Sequence, residues 1–465
     1  MILGAVVLAA GLGTRMKSAL PKVLHPLAGR PMIAWVLGSL AGVEVSHTVV
    51  VVGDGADAVA ALLPDGVSTQ VQQTQLGTGH ATAVGVAGLP EHCDTVLVLC
   101  GDTPLISPAL ITSLVVAHQS SGNTATMVTT VVSDAGSYGR VLRDAAGVVT
   151  GVVEARDASA HEREIHEINA GIFMFDRASL SAALAQVGSS NAQGEVYLPD
   201  VLPAMGASIG TFVSDDPDVV LGVNTRVDLA TCEAILQSRL RKALMLAGVT
   251  IPDPTAVYLD ADVQVGRDTV LLAGVHLRAR TVIGQDCVIG PNCVIEASAV
   301  GDGAHVINAV VRASQIGPGT SVGPYAFVRP GTELASGGKI GTFVETKNAR
   351  IGARAKVPHL SYIGDAEIGE DTNIGAGNIT ANYDGFRKHR TTIGARVKTG
   401  SDCVLVAPVT IGDDAMTGAG SIITDPIPSG ALGIARARQS VIEDFTRRAA
   451  AKARAASDDS GGHQV

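Results

Sequence analysis

From about residue 257 onward an aliphatic side chain returns every sixth position: Ile283, Ile289 and Ile295, then Ile316, Val322, Val328, Leu334 and Ile340, then Ile351, Val357 and Ile363, then Ile368 and Ile374. After an interruption the beat resumes at Ile393, Thr399, Leu405, Ile411, Thr417 and Ile423. Six fits neither the 3.6-residue turn of a helix nor the two-residue alternation of a strand. It is the period of a parallel β-helix, in which each repeat supplies one short strand and one tight turn. The aliphatic is expected to point into a narrow prism. The glycine that often follows it (Gly284, Gly290, Gly317, Gly341, Gly364, Gly412) is expected to relax the backbone at the corner. A narrow interior has little room for rings, and aromatics make up only 3% of the chain. The stretch TANYDGFRKHRTT, 380–392, does not fit the beat and is expected to leave the coil as a loop, a common place for binding and catalysis.

The first half obeys another rule. AVVLAA (5–10), TVVVVG (48–53), TVLVLC (95–100) and TATMVTTVV (124–132) read as buried strands. PMIAWVLGSLA and GTGHATAVGVAG between them read as helices. Such alternation predicts an open, mostly parallel sheet, with ligands outside the carboxyl ends of its strands. From Val227 to Ala247 the pattern is helical, with Arg239, Arg241 and Lys242 late and Gly248 placed to close it; this reads as an arm between domains. At 465 residues the chain exceeds one ordinary core. The expected division is 1–226 for an α/β Rossmann-like domain, 227–250 for the linking helix, 251–442 for the β-helix and 443–465 for a flexible tail.

Bulk properties exclude several classes. A net charge of −10 argues against general nucleic-acid binding. The six cysteines, 93, 100, 232, 287, 293 and 403, form no CxxC pair or zinc spacing and read as reduced cytoplasmic thiols. The apolar run Ile2–Ala10 is too short to span a bilayer and has no positive flank, so neither a membrane helix nor a signal peptide is expected.

Candidate chemistry lies at the strand ends. AVVLAA runs into Gly11-Leu12-Gly13-Thr14-Arg15-Met16, with Pro21-Lys22 after it. Glycines there let backbone N–H groups approach phosphate, and Arg15 and Lys22 supply charge. It is not the dinucleotide fingerprint, because Met16 stands at the third glycine position. Gly101-Asp102 ends VLVLC, and Gly222-Val223-Asn224 ends VVL. Mg²⁺ needs few protein oxygens, so Asp102 and Asn224 suffice as ligands; taken alone, each motif also reads as an ordinary turn. In the second half, His359 sits where the coil needs no histidine. Stacked coils bring Arg329 and Lys347 from earlier turns, and Asn382 and Tyr383 from the loop, to one side of it. A histidine with a pKa near the working pH suits deprotonation of an amine.

LAAGLGTRM with PKVLH, QLGTGHA (75–81), GDTPL (101–105), YGR (138–140), Glu154, Asn169-Ala170-Gly171 and GVN (222–224) resemble the nucleoside-diphosphate-sugar pyrophosphorylases. With the sixfold repeat, Met1 to about Ile442 resembles the bacterial bifunctional N-acetylglucosamine-1-phosphate uridyltransferase and glucosamine-1-phosphate N-acetyltransferase family. The resemblance implies synthesis of UDP-N-acetylglucosamine, a cell-wall precursor, and a left-handed β-helix. It implies that Leu8, Ala9, Ala10 and Gly11 bind the uridine nucleotide, that Arg15 and Lys22 hold phosphates, and that Gln72, Gly77 and Thr78 read the uracil. Cys100 and Gly101 would flank the nucleotide, Asp102 and Asn224 would bind Mg²⁺, and Gly139, Glu154 and Asn169 would contact the sugar. In the second half it implies His359 as base and Arg329, Lys347, Tyr362 and Asn373 as the glucosamine-phosphate site. Ala376, Asn382, Tyr383, Ser401, Ala419 and Arg436 would contact acetyl-CoA, and Glu345 is a candidate to tune His359 or the amine. The co-substrates would be UTP and acetyl-CoA, the assembly a parallel homotrimer and the location cytoplasmic. Two alternatives stay open: a single-activity nucleotidyltransferase with a regulatory β-helix, and a β-helix that serves only as a trimerisation scaffold.

Overall fold

A computed structural model describes residues 1–188, 194–205 and 208–460, with side chains to 457. Its contacts divide into two units, Met1–Gln264 with His276–Thr281, and Val265–Val275 with Val282–Val465.

The first unit is built on a nine-stranded sheet: β1 (Leu3–Ala9), β2 (His47–Val52), β3 (Val67–Val71), β4 (Thr95–Cys100), β5 (Ala125–Val131), β6 (Arg140–Arg143), β7 (Val149–Val153), β8 (Glu167–Asp176) and β9 (Ile209–Val213). Strand order is β9-β5-β8-β4-β1-β2-β3, with the β6–β7 hairpin attached to β8. The four strands expected from the β-branched runs are present, and β1 lies parallel to both β2 and β4. Buried on both faces, Val6, Val7, Val50, Val51, Leu97 and Leu99 explain the unbroken apolar runs. The sheet is less uniformly parallel than expected, because β8 runs antiparallel to β4 and β5. Its register slips between Asn169 and Phe173, where Gly171 takes a φ of 72° and donates its N–H to Asn169 Oδ1 at 2.9 Å. The Asn169-Ala170-Gly171 motif is therefore a bulge, the device that re-aims side chains beside a site.

Helix α1 (Arg226–Leu246) starts at a capping box, Thr225 with Asp228, and Gly248 beyond its end takes a φ of 98°. It is not a bare arm. Cys232, Leu236 and Gln237 are buried, the first two in a cluster with Met16, Leu27, Met32, Leu105 and Val223 of the first unit. Arg239, read as a dipole partner, instead pairs with Asp216 at 3.0 Å and donates to Leu105 O.

The second unit is a left-handed parallel β-helix. Val288, His305, Ser321, Lys339 and Lys356 stand in register on successive turns of 16–18 residues. Every sixfold position named above is buried, the threonines at 399 and 417 included. Gly290, with a φ of 107°, relaxes a corner as expected, but others among these glycines have a different task. At Gly284, Gly317 and Gly412 the backbone is not left-handed; an added Cβ would lie 2.7 Å from Asp302 N, 2.8 Å from Leu334 O and 2.5 Å from Ser429 N. Glycine there admits the next coil. Left-handed corners fall largely to other residues, among them Asp286, Asn292, Asn308, Asp402 and Asp414; short polar side chains tolerate that conformation.

The interruption is shorter than expected. Thr380 keeps the beat six residues after Ile374, fully buried, its hydroxyl donating to Gly364 O at 2.9 Å and accepting from Gly364 N at 2.8 Å. What leaves the coil is an ordered hairpin over 382–390, with Tyr383 paired to Lys388 and Asp384 accepting from Phe386 N, Arg387 N and His389. These donors hold the Asp384 carboxyl well below the usual carboxylate range. The tail, expected to be flexible, carries a helix over Phe445–Ser460, an alanine-rich segment with good helix formers; residues 461–465 lie outside the described residues.

Candidate functional site

The ends of β1 and β4 open into a cavity of about 500 Å³. Leu8, Ala9, Ala10, Gly11, Arg15, Lys22, Gln72, Gly77, Thr78, Cys100, Asp102 and Asn224 all line it. A Cβ at Gly11 would meet no protein atom, whereas Gly13, with a φ of 61°, turns the chain tightly over Lys22. The segment carrying Asn224 is pinned beside Asp102, Val223 N donating to Asp102 O at 2.9 Å. Lys22 Nζ lies 2.5 Å from Asp102 Oδ2 and 3.3 Å from Asn224 Oδ1, while Arg15 donates to Asn224 Oδ1 at 2.9 Å. Two hard oxygen donors thus converge on one positive centre. The Cys100 thiol is pushed up to about 12, by burial first and then by Asp102, with Lys22 opposing, so it stays protonated.

Gly101, Gly139, Glu154 and Asn169 lie outside the cavity lining but join it by a chain of contacts. Cys100 Sγ reaches Gly171 O at 3.7 Å, Asn169 N donates to Gly139 O at 2.9 Å, and Gly139 packs on Glu154. Gly101 N donates to Leu8 O at 2.8 Å. Burial, then the charges of Asp200 and Asp157, raise the Glu154 carboxyl above its ordinary value against the pull of Arg140. Sequence reasoning missed Gln75 and Glu195, which also line the cavity. Gln75 stood inside the quoted QLGTGHA motif; Glu195 lies in a segment with no periodic signal.

On the β-helix, His359 ends the strand Lys356–His359 and is exposed. The bridges Lys356–Asn373, Asn373–Lys398 and Lys398–Met416, each carried three residues on, stack His359, Ala376, Ser401 and Ala419 at one position of successive coils. Bonds from Gly377 N to His359 O, Asp402 N to Ala376 O and Gly420 N to Ser401 O follow the same column. A Cβ at Gly420 would approach the Arg436 side chain. Around the corner lies a second column. Arg329 N donates to Thr346 O at 2.9 Å, placing Arg329 beside Lys347, which pairs with Gly364. Tyr362 and Asn382 pack against Gly364, and Asn382 also donates to Asp365 at 2.6 Å. Lys388 of the hairpin stands beside Lys347 and, ahead of Arg329, holds its ammonium below the usual lysine range. Sequence reasoning missed Lys388. Tyr383 is exposed and bonds only within the hairpin among the described hydrogen bonds, to Gly385 O at 2.6 Å.

Two of the expected residues stand apart from the roles named for them, as far as one chain shows. Asn373 lies on the face of Lys356 and Lys398, not beside Arg329, Lys347 and Tyr362. Glu345, the candidate to tune His359 or the amine, is paired to Arg329 at 2.6 Å. Among the described residues no group of three or more histidine, cysteine or acidic side chains is arranged to hold a metal, and no helix is long and apolar enough to cross a membrane.

Residues 5–172 match the MobA-like NTP transferase domain family, and 262–297 and 390–425 match the bacterial transferase hexapeptide family of six repeats. The bifunctional protein GlmU of Heliobacterium modesticaldum is 49% identical over 447 residues, 96% of this chain and 98% of that protein. The chain belongs to the GlmU family. The GlmU proteins of Streptomyces avermitilis and Mycolicibacterium vanbaalenii are each 47% identical, over 96% and 95% of this chain and 96% and 92% of their own lengths. Coverage of this extent embraces both units.

Proposed function

We propose a division of labour between the two sites. The chain is a bifunctional enzyme: it transfers acetyl from acetyl-CoA to glucosamine-1-phosphate, and uridylyl from UTP to N-acetylglucosamine-1-phosphate with release of pyrophosphate. The observation that carries the reading is the pairing of a strand-end cavity, where Lys22 and Arg15 converge on Asp102 and Asn224, with a coil position where an exposed His359 adjoins a cationic column.

In the cavity Leu8 to Gly11 and Gln72, Gly77 and Thr78 take the nucleotide, and Gly139, Glu154 and Asn169 take the sugar. A phosphate oxygen of the sugar attacks the α-phosphorus of UTP; the bond to the bridging oxygen breaks and pyrophosphate leaves. Arg15 and Lys22 stabilise the charge that builds on the phosphates. Asp102 and Asn224 would hold Mg²⁺, whose preference for oxygen donors fits the pair; Lys22 Nζ marks a cation position between them. When bound, the ion supplies charge neutralisation to the phosphates.

On the β-helix Arg329, Lys347 and Tyr362 hold the sugar phosphate. His359 takes a proton from the amine, whose nitrogen attacks the thioester carbon; the C–S bond breaks and coenzyme A leaves as the thiol. Ala376, Ser401 and Ala419 continue the His359 column as a track for acetyl-CoA, with Asn382, Tyr383 and Arg436 beside it. Asn373, on another face, would serve a site completed by a neighbouring copy, which supports a homotrimer. A cytoplasmic location fits the reduced thiols and the supply of both co-substrates. The test is direct. Protein mixed with glucosamine-1-phosphate and acetyl-CoA should release free thiol, and with N-acetylglucosamine-1-phosphate it should consume UTP ahead of other nucleotides. Absence of thiol release would leave the β-helix as scaffold or regulator.

A further inference from the structure

Gln72 is almost wholly buried at the cavity wall, with 3% of its surface exposed. Its amide nitrogen is held twice: Nε2 donates to Gly77 O at 3.2 Å and contacts His80 Nδ1 at 2.9 Å. A carbonyl oxygen can only accept, so the amide atom facing Gly77 must be the nitrogen. Its second hydrogen then points at His80 Nδ1, which must carry a lone pair, placing any ring proton on Nε2. Both donors of the amide are consumed by protein, and among the described residues no donor reaches Oε1. His80 is in turn fixed in the first turn of the helix Thr78–Ala87. That turn is braced from the other side: Gly79 N donates to Val196 O at 2.7 Å, and Leu198 N donates to Thr78 Oγ1 at 3.0 Å.

We infer that His80 is a positioning residue for base selection, locking the Gln72 amide so that the cavity meets an acceptor and never a donor. This rests on the reading that Gln72 faces the base. Uracil carries a hydrogen on N3 and can donate it to Oε1. Cytosine has a lone pair at N3, so the same contact sets two acceptors against each other. An amide free to flip would present its NH₂ to cytosine and lose the distinction. Gly77 O favours the same orientation through a longer contact, so selectivity for one pyrimidine over the other depends in large part on a ring that touches neither. Sites that leave a buried polar group unpaired against the wrong ligand discriminate far more strongly than hydrophobic fit alone.

The experiment compares kcat/KM for UTP and for CTP in the full-length enzyme and in His80→Leu, His80→Asn and Gln72→Leu, with acetyl transfer and circular dichroism as controls for folding. His80→Leu should lower the UTP-to-CTP ratio by about tenfold or more, chiefly through KM, the scale of one hydrogen bond. His80→Asn keeps an acceptor near the Nδ1 position and should restore most of the ratio, which a merely space-filling role would not require. If Gln72→Leu collapses the ratio while His80→Leu leaves it intact, the inference is overturned and the reading of Gln72 stands. If neither changes it, the reading at Gln72 falls and the inference with it.

Discussion

The sheet cavity and the β-helix columns both gather cations, yet they treat those cations in opposite ways. In the cavity, Lys22 is answered by Asp102 and Arg15 by Asn224. On the β-helix, Lys347 faces Lys388 and Arg329, with Glu345 and Asp365 answering them in part. The first arrangement is already hydrogen-bonded before substrate arrives, with one carboxylate against two cations, and must exchange partners to bind. The second is held in mutual repulsion that an arriving phosphate relieves. Concavity follows the same division: a parallel sheet makes a crevice at its strand ends by topology, whereas a prism has flat sides and must build walls from a hairpin or from another copy.

If the two regions act separately, a substitution in one spares the other. His359→Ala should carry the largest effect, lowering kcat for acetyl transfer by on the order of 10³–10⁴ while uridylyl transfer is unchanged. Asp102→Ala should do the reverse, lowering uridylyl transfer by on the order of 10²–10³ with acetyl transfer intact. Loss of both activities in either variant, with the protein folded, would break the comparison. Lys388→Ala sharpens it. Removing the repelling ammonium lets Lys347 return toward its ordinary pKa, so phosphate binding should persist to higher pH. At neutral pH the positive field around Arg329 and Lys347 is weaker by one charge, and KM for glucosamine-1-phosphate should rise by about tenfold. A pH–KM profile unmoved on its alkaline side would remove Lys388 from the site.

What the sequence disclosed depends on how locally each feature is encoded. The sixfold beat is local and repeated, so the inward aliphatics from Ile283 to Ile374 and from Ile393 to Ile423 that keep strict spacing are readable, while Thr380, a polar residue at the edge of the loop, is not. The cavity lining from Leu8 to Gly11 was readable because it follows one strand end. Lys388 was not, because its meaning lies in standing beside Lys347 across a hairpin whose register no period announces. The Gly284 and Gly317 contacts escaped for a related reason: a missing Cβ looks the same whether it frees the backbone or admits a neighbour, and only the adjacent coil distinguishes the two. Asn373 shows the converse. The family motif named it, and the fold of one chain sets it on another face.

Thr380 tests the smallest difference between the regions, the tolerance of their interiors for a hydroxyl. The sheet core around Val50, Val51 and Leu97 is strand backbone satisfied by neighbouring strands. The coil next to the hairpin instead relies on a side chain, because Thr380 Oγ1 serves both Gly364 N and Gly364 O. Thr380→Val keeps the shape and leaves a buried N–H without its partner, at a cost of about 1–3 kcal/mol. The temperature at which acetyl transfer is half inactivated should fall by a few degrees, roughly 2–8 °C, while that of uridylyl transfer stays where it was. Equal shifts in both would mean that the two units unfold as one, and the separation on which the other variants depend would be lost.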